Sequence, residues 1–205
     1  MLLAEAEQLN PGPWSAHSRV AAAAARNIAA RLPGMDSSAA YIMGLLHDIG
    51  RRHGVAGMRH ITDGYHFMTA LGYSSAARIC LTHSFPLQDP KSMLGWDGSE
   101  EDRAFVYRCI PQLEYDDYDR LIQLADALAL PHGSCLIEKR MVDVVLRYGF
   151  NEYTAQKWKA HYAIKQYFED RIGQSIYALL PDVIETTYNM TPSELTLLTG
   201  SEKTI

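Results

Sequence analysis

The chain has 205 residues, 47% of them apolar and 21% charged, with a formal net charge of -5. That balance belongs to an ordinary folded domain and excludes disordered or collagen-like chains, and the mild negative charge gives duplex DNA or RNA no electrostatic footprint. No apolar run approaches the roughly 18 residues that span a bilayer, and "MLLAEAEQLNPGPW" has neither the basic nor the apolar region of a signal peptide, so no membrane partner and a cytoplasmic location are expected.

Helical period and helix punctuation dominate the chain, and nothing alternates like a strand for long. "NPGP" at Asn10–Pro13 is a turn, and Ser15 is placed to cap a helix running toward Leu32, stopped by Pro33-Gly34. Asp36, Ser37 or Ser38 caps a second helix, expected to end near Gly50 with a left-handed glycine stop. After the basic loop "RRHGVAGMRH" come helices over about 62–71 and 74–83. Residues 86–99, "PLQDPKSMLGWDGS", form the longest structureless segment and read as a flap over a site. Further helices are predicted at about 100–110, 119–130, 134–148, 152–172 and 174–188. "TPSE" at 191–194 combines a capping box with Pro at the first helical position and starts a last short helix. The fold class is all-α, one domain over 1–205 with a motif core at about 15–130 and a helical extension at 131–205.

Cys80, Cys109 and Cys135 are odd in number and contain no CxxC pair, so buried reduced thiols are expected rather than a disulfide scaffold or a cysteine zinc site. There is no GxSxG elbow, no GxxxxGK[ST] phosphate loop and no GxGxxG fingerprint. The helix "YTAQKWKAHYAIKQYFEDR" interleaves lysines with aromatics; it reads as a helix packing one aromatic face on the core or on a second subunit.

The informative residues are polar side chains on apolar stripes. His17 shares a helix face with Val20, Ala24 and Ile28, His47 follows Met43 by one turn, Asp126 lies inside "LIQLADALAL", and His83 closes "ARICLTH" one turn past Ile79 and Cys80. Singly, a histidine on such a stripe reads as a core residue with one hydrogen bond, and Asp126 as a surface or cap residue. The set reads differently. A buried carboxylate without a partner is costly, and a divalent cation resolves the cost because it binds neutral imidazole and ionised carboxylate together. His17, His47, Asp48 and Asp126, from three helices, can surround one such ion.

The segments "SAHSRVAAAAARNIA", "GLLHDIGR" and "LIQLADALA" resemble, in this order, the H…HD…D pattern of the HD-domain metal-dependent phosphohydrolases, over about 17–126. The resemblance implies an all-α core and metal ligation by His17, His47, Asp48 and Asp126. His60 in "MRHITDGYHFM" and His83 in "CLTHSF" stand in the order of a two-metal arrangement, H-HD-H-H-D, like that of the diadenosine-tetraphosphate hydrolase branch, with Asp48 bridging. The GYP motif and paired histidines of the cyclic-di-GMP branch are absent, and the residues after His47-Asp48 depart from the diadenosine branch, so substrate identity stays open.

The implied function is hydrolysis of a phosphorylated small molecule, a nucleotide or dinucleotide, with one or two divalent ions (Fe, Mn, Zn, Ni, Co or Mg) as cofactor and a homodimer as a possible assembly. Asp48 and Arg51 are the catalytic candidates. Arg51 and Arg52 are the substrate-binding candidates, since a guanidinium fork suits phosphate. Asp63 is a candidate to orient His60 or a helix N-terminal acid. His53 and His66 read as surface or core, and His132 and His161 carry no assigned role. Two alternatives remain at this level: a di-iron oxygenase on the same fold, and a catalytically silent nucleotide-binding module.

Overall fold

The structure, a computed structural model, describes residues 2–199. Eleven α-helices run in chain order: α1 (Leu2–Leu9), α2 (Pro13–Ala29), α3 (Ser37–Leu46), α4 (His60–Ala70), α5 (Ser74–Thr82), α6 (Glu100–Cys109), α7 (Asp117–Ala127), α8 (Ile137–Tyr148), α9 (Thr154–Ile172), α10 (Val183–Tyr188) and α11 (Pro192–Thr199). The described residues add only a two-residue antiparallel ribbon, β1 (Ala129–Leu130) with β2 (Gly133–Ser134), so the fold is all-α. No helix among them is long and apolar enough to cross a membrane.

Small residues set the central crossing. Ala21, Ala22, Ala24 and Ala25 of "AAAAA" are all buried. A Cβ on Gly44 would stand 2.5 Å from Ala22 Cα, so α2 and α3 meet backbone to backbone. Around this pair Leu121, Leu124 and Leu128 near α7, Ile137 and Met141 of α8, and Ile164 and Phe168 of α9 form one apolar cluster. The C-terminal helices therefore share a core with the motif helices. Asp119 is a buried tie between α5 and α7: it accepts from Arg78 Nε at 3.0 Å and Thr82 Oγ1 at 2.7 Å while completing the α7 capping box with Asp116.

Several boundaries differ from the sequence reading. The second helix begins at Pro13, with Gly12 in the cap position, and the Ser15 hydroxyl donates to Glu7 at 2.7 Å. The third ends at Leu46, giving way to a 3-10 turn over Ile49–His53. Gly50 sits inside that turn without a positive φ. Its role is space: a Cβ there would collide with the His60 carbonyl oxygen and the Gly64 nitrogen, so only glycine lets the turn lie against the start of α4. The helix predicted over 174–188 is broken at Pro181 into a 3-10 turn (Ile176–Leu179) and α10. α1, absent from the sequence reading, packs Leu3 and Ala6 against Trp14 and Ile49.

The segment 86–99 is tied down rather than loose. Asp97 accepts from the Gly57 and Arg59 backbone nitrogens at 2.6 and 2.7 Å, and Met93 and Trp96 pack on Phe85, Val106 and Ile110. It braces the loop before His60. The cysteines are free, with Cys80 and Cys135 buried and Cys109 partly so. On α9, Trp158 and Phe168 join the core, as expected of one aromatic face.

Candidate metal centre

The structure brings His17, His47, Asp48, His60, His83 and Asp126 to one place. His17 Nε2 lies 2.9 Å from Asp126 Oδ1, and the His17 and His47 rings are 5.3 Å apart. His47 Nε2 is 3.9 Å from Asp48 Oδ2. Asp48 Oδ1 faces His60 Nε2 at 3.1 Å and His83 Nε2 at 3.6 Å, and those two nitrogens are 3.3 Å apart. Donor atoms of His17, His47 and Asp126, and separately of His47, Asp48 and His83, fall within 4.8 Å of one another. His47 belongs to both groups, and Asp48 touches the imidazoles of three elements.

Local backbone explains the aim of each ring. His47 and His83 are the C-caps of α3 and α5, where the last helical carbonyls have no partner in the helix. His47 Nδ1 donates to Gly44 O at 2.7 Å, and His83 Nδ1 to Ile79 O and Cys80 O at 3.1 and 3.0 Å. His60 Nδ1 donates to Gly57 O at 2.5 Å, and His17 Nδ1 to Ala129 O of β1 at 3.2 Å. A carbonyl only accepts, so all four rings carry hydrogen on Nδ1 and present Nε2 inward. A metal-bound histidine is oriented in this way.

The arrangement is repulsive without a cation. In a neutral ring with hydrogen on Nδ1, Nε2 is a bare acceptor, and here such nitrogens face carboxylate oxygens and each other. Protons do not relieve every contact. Burial pushes His83 down to about 3, reinforced by His47 and His60, and burial likewise lowers His47. His47 Nε2 is buried with no hydrogen-bond partner. For Asp48, burial works against ionisation but is outweighed by the Arg51 guanidinium 2.7 Å away, and the carboxyl is held well below the usual range. Asp126 is also held well below it: burial works against ionisation, and the Arg140 guanidinium beside its Oδ1 outweighs burial. Anionic oxygens, neutral imidazoles and an orphaned nitrogen fit a divalent ion.

These shifts set the pH dependence of the metal-free fold. With His83 at about 3 folded and 6.5 as its ordinary value, the unfolded chain binds more protons between those limits. Stability is therefore present above about 6.5 and declines as pH falls toward 3; the lowered Asp48 acts in the same direction below 3.8. Urea midpoints of chelated protein are expected to fall steadily from pH 7 to 4. A flat profile would contradict a buried neutral cluster.

The other candidates fare differently. Arg51 is at the cluster, but its Nε donates to Asp48 Oδ2 at 2.7 Å and its Nη1 to Ala56 O at 2.9 Å. It braces Asp48 and the following loop. Arg52, expected beside it at the substrate, turns instead to Glu5 at 3.2 Å and stacks 4.0 Å over the Phe67 ring, tying α1 to α4. Asp63 accepts from Arg59 Nε at 3.0 Å, and Gly57 O holds His60 in the place the sequence reading offered to Asp63. His53 is exposed, and His66 pairs with Asp102 at the surface. Arg140 of α8, which no sequence pattern marks, donates from Nη2 to Asp126 Oδ1 at 3.4 Å and from Nη1 to Asp143 at 3.0 Å.

Residues 14–130 match the family described as HD domain, a span that begins before His17 and ends beyond Asp126. The chain belongs to the HD-domain family. No curated protein and no solved structure matches it. HD domains are in general metal-dependent phosphohydrolases, and the histidine-aspartate groups of this one could hold divalent metal. The last 75 residues, carrying Arg140, lie outside the HD match.

Proposed function

We propose that this HD domain is a metal-dependent phosphohydrolase acting on a phosphorylated small molecule, a nucleotide or dinucleotide. The observation that carries the reading is the set of four imidazoles, each with Nδ1 fixed on a backbone carbonyl, whose Nε2 atoms converge with Asp48 and Asp126. His17, His47 and Asp126 would hold one ion, His60 and His83 a second, and Asp48 would serve both, the ligand order of the diadenosine-tetraphosphate hydrolase-like branch. Divalent cations so held supply Lewis acidity and lower the pKa of a bound water toward neutrality.

The chain's own residues do the rest. Backbone carbonyls keep each imidazole in the ligating tautomer, so no ring must turn when substrate arrives. Arg51 fixes the outer oxygen of Asp48 and adds positive charge beside the reacting phosphoryl group, where charge builds during transfer.

Two measurements test this. Added divalent metal is expected to raise the melting temperature of chelated protein by roughly 5–10 °C at a hundredfold excess over Kd, about 2.7 kcal/mol of linkage. A phosphate-release screen over mononucleotides, dinucleotides and sugar phosphates is then expected to find turnover that depends on the metal. Saturated metal with no phosphate release from any of them would remove the hydrolase reading.

A further inference from the structure

The core-facing stripe of α9 runs Lys157, His161, Ile164, Phe168, at spacings of four, three and four. Its C-terminal half is apolar and buried, with Ile164 and Phe168 in the main core. Its N-terminal half presents an ammonium and an imidazole in the same inward direction. His161 Nδ1 is shut off from solvent and has no hydrogen-bond partner. Lys157 lies one turn before it and is half-buried without a carboxylate beside it. A buried nitrogen left as His161 Nδ1 is costs free energy unless a partner completes it, while the Lys157 ammonium one turn away keeps contact with solvent.

Their surroundings point to the metal centre. α9 packs on α7, which carries Asp126, through Ile164 and Phe168 against Leu121, Leu124 and Leu128, and Arg140 of α8 reaches Asp126 Oδ1 at 3.4 Å; Asp126, Lys157 and Arg140 are the charges that bear on His161. Of the centre's side chains Asp126 is the least enclosed: it is 25% exposed, against 1% for His47 and 3% for His83. With Asp126 committed to a cation, Arg140 keeps Asp143 as partner and Lys157 keeps none. The cluster gains a positive wall in need of an anion.

We propose that Arg140, Lys157 and His161 form an anion subsite at the mouth of the centre, which receives a phosphoryl group of the substrate next to the one cleaved. It rests on the phosphohydrolase reading and deepens it, because it favours substrates bearing adjacent phosphates. The ammonium and guanidinium supply charge-assisted hydrogen bonds, and the imidazole adds a directional N–H without adding charge. Burial pushes Lys157 down to about 8, in keeping with an ammonium that lacks its counter-ion. All three residues lie beyond the 14–130 match, so the C-terminal helices would set this chain's specificity.

The test is calorimetric titration of inorganic phosphate into metal-loaded protein, wild type and the variants Lys157→Met, Lys157→Arg and His161→Phe, with metal content measured in each. Lys157→Met is expected to weaken phosphate binding roughly tenfold and His161→Phe several-fold, while Lys157→Arg restores most of the affinity and metal content stays at the wild-type level. Unchanged phosphate affinity in Lys157→Met and His161→Phe would overturn the subsite. So would loss of metal from His161→Phe, which would make that ring a ligand. The two readings fail separately. Lysine-dependent phosphate binding without phosphate release leaves the subsite standing and removes the hydrolase, whereas phosphate release with indifferent variants does the reverse.

Discussion

Replacing Asp48 with asparagine is expected to strip the centre of most of its metal and to cut turnover about a thousandfold. Asn keeps the shape of the side chain but removes the only negative charge shared by His47, His60 and His83, whose Nε2 atoms lie 3.1–3.9 Å from its oxygens. The amide keeps one oxygen, an uncharged and weaker ligand than either carboxylate oxygen, and cannot serve two ions. The remaining imidazoles would retain one ion weakly at best, with His17 and Asp126 as its anchor. The substitution also strips Arg51 of its counter-charge. Loss of one partner from a buried pair is costly, here about 2 kcal/mol, because Arg51 is partly exposed and still reaches Ala56 O. Elemental analysis and urea denaturation read the two effects apart. Wild-type metal content in Asp48→Asn would take Asp48 out of the ligand set.

The second large effect is purely steric. Gly50→Ala is expected to lower stability by about 3 kcal/mol, a melting-temperature drop of roughly 6–12 °C, and to reduce metal content with it. The added methyl has nowhere to go. Its neighbours are the His60 carbonyl and the Gly64 nitrogen, backbone atoms that cannot rotate away. The 3-10 turn carrying Arg51 would separate from α4, and His60 would move relative to Asp48. Gly44→Ala, which meets the α2 backbone at Ala22, makes a parallel control for a crossing that sets the distance between His17 and His47. A Gly50→Ala protein as stable and as metal-replete as wild type would show that the close approach has no part in holding the site.

What the sequence disclosed follows from physics acting locally. His17, His47 and Asp126 stood out because a polar group on a helical apolar stripe must find a partner, and the stripe is visible in spacing alone. His83 also stood on such a stripe, but His60 was legible only through the order of a known pattern, and only that order joined the two, since nothing local ties residues 23 apart to one Asp48 oxygen. Gly50 was misread because a sequence does not distinguish a glycine needed for φ from one needed for space. Arg52 was a substrate-binding candidate for its guanidinium fork, yet consecutive residues of a 3-10 turn diverge, and its side chain lies on Phe67 and Glu5. Lys157 and His161 lay hidden because a long helix of lysines and aromatics also fits a solvated or dimer-forming face. Only the packing of α9 shows which side is inward. The break at Pro181 is legible in the sequence, because proline lacks the N–H a helix interior needs.

The central claim is that the six side chains meet around divalent cations. Anomalous diffraction from crystals grown with Mn²⁺ tests it most directly. The account predicts density within roughly 2.0–2.4 Å of His17 Nε2, His47 Nε2 and an Asp126 oxygen, with a second peak against His60 and His83 if two ions bind. Manganese found elsewhere, with these nitrogens free of density under saturating metal, would contradict it.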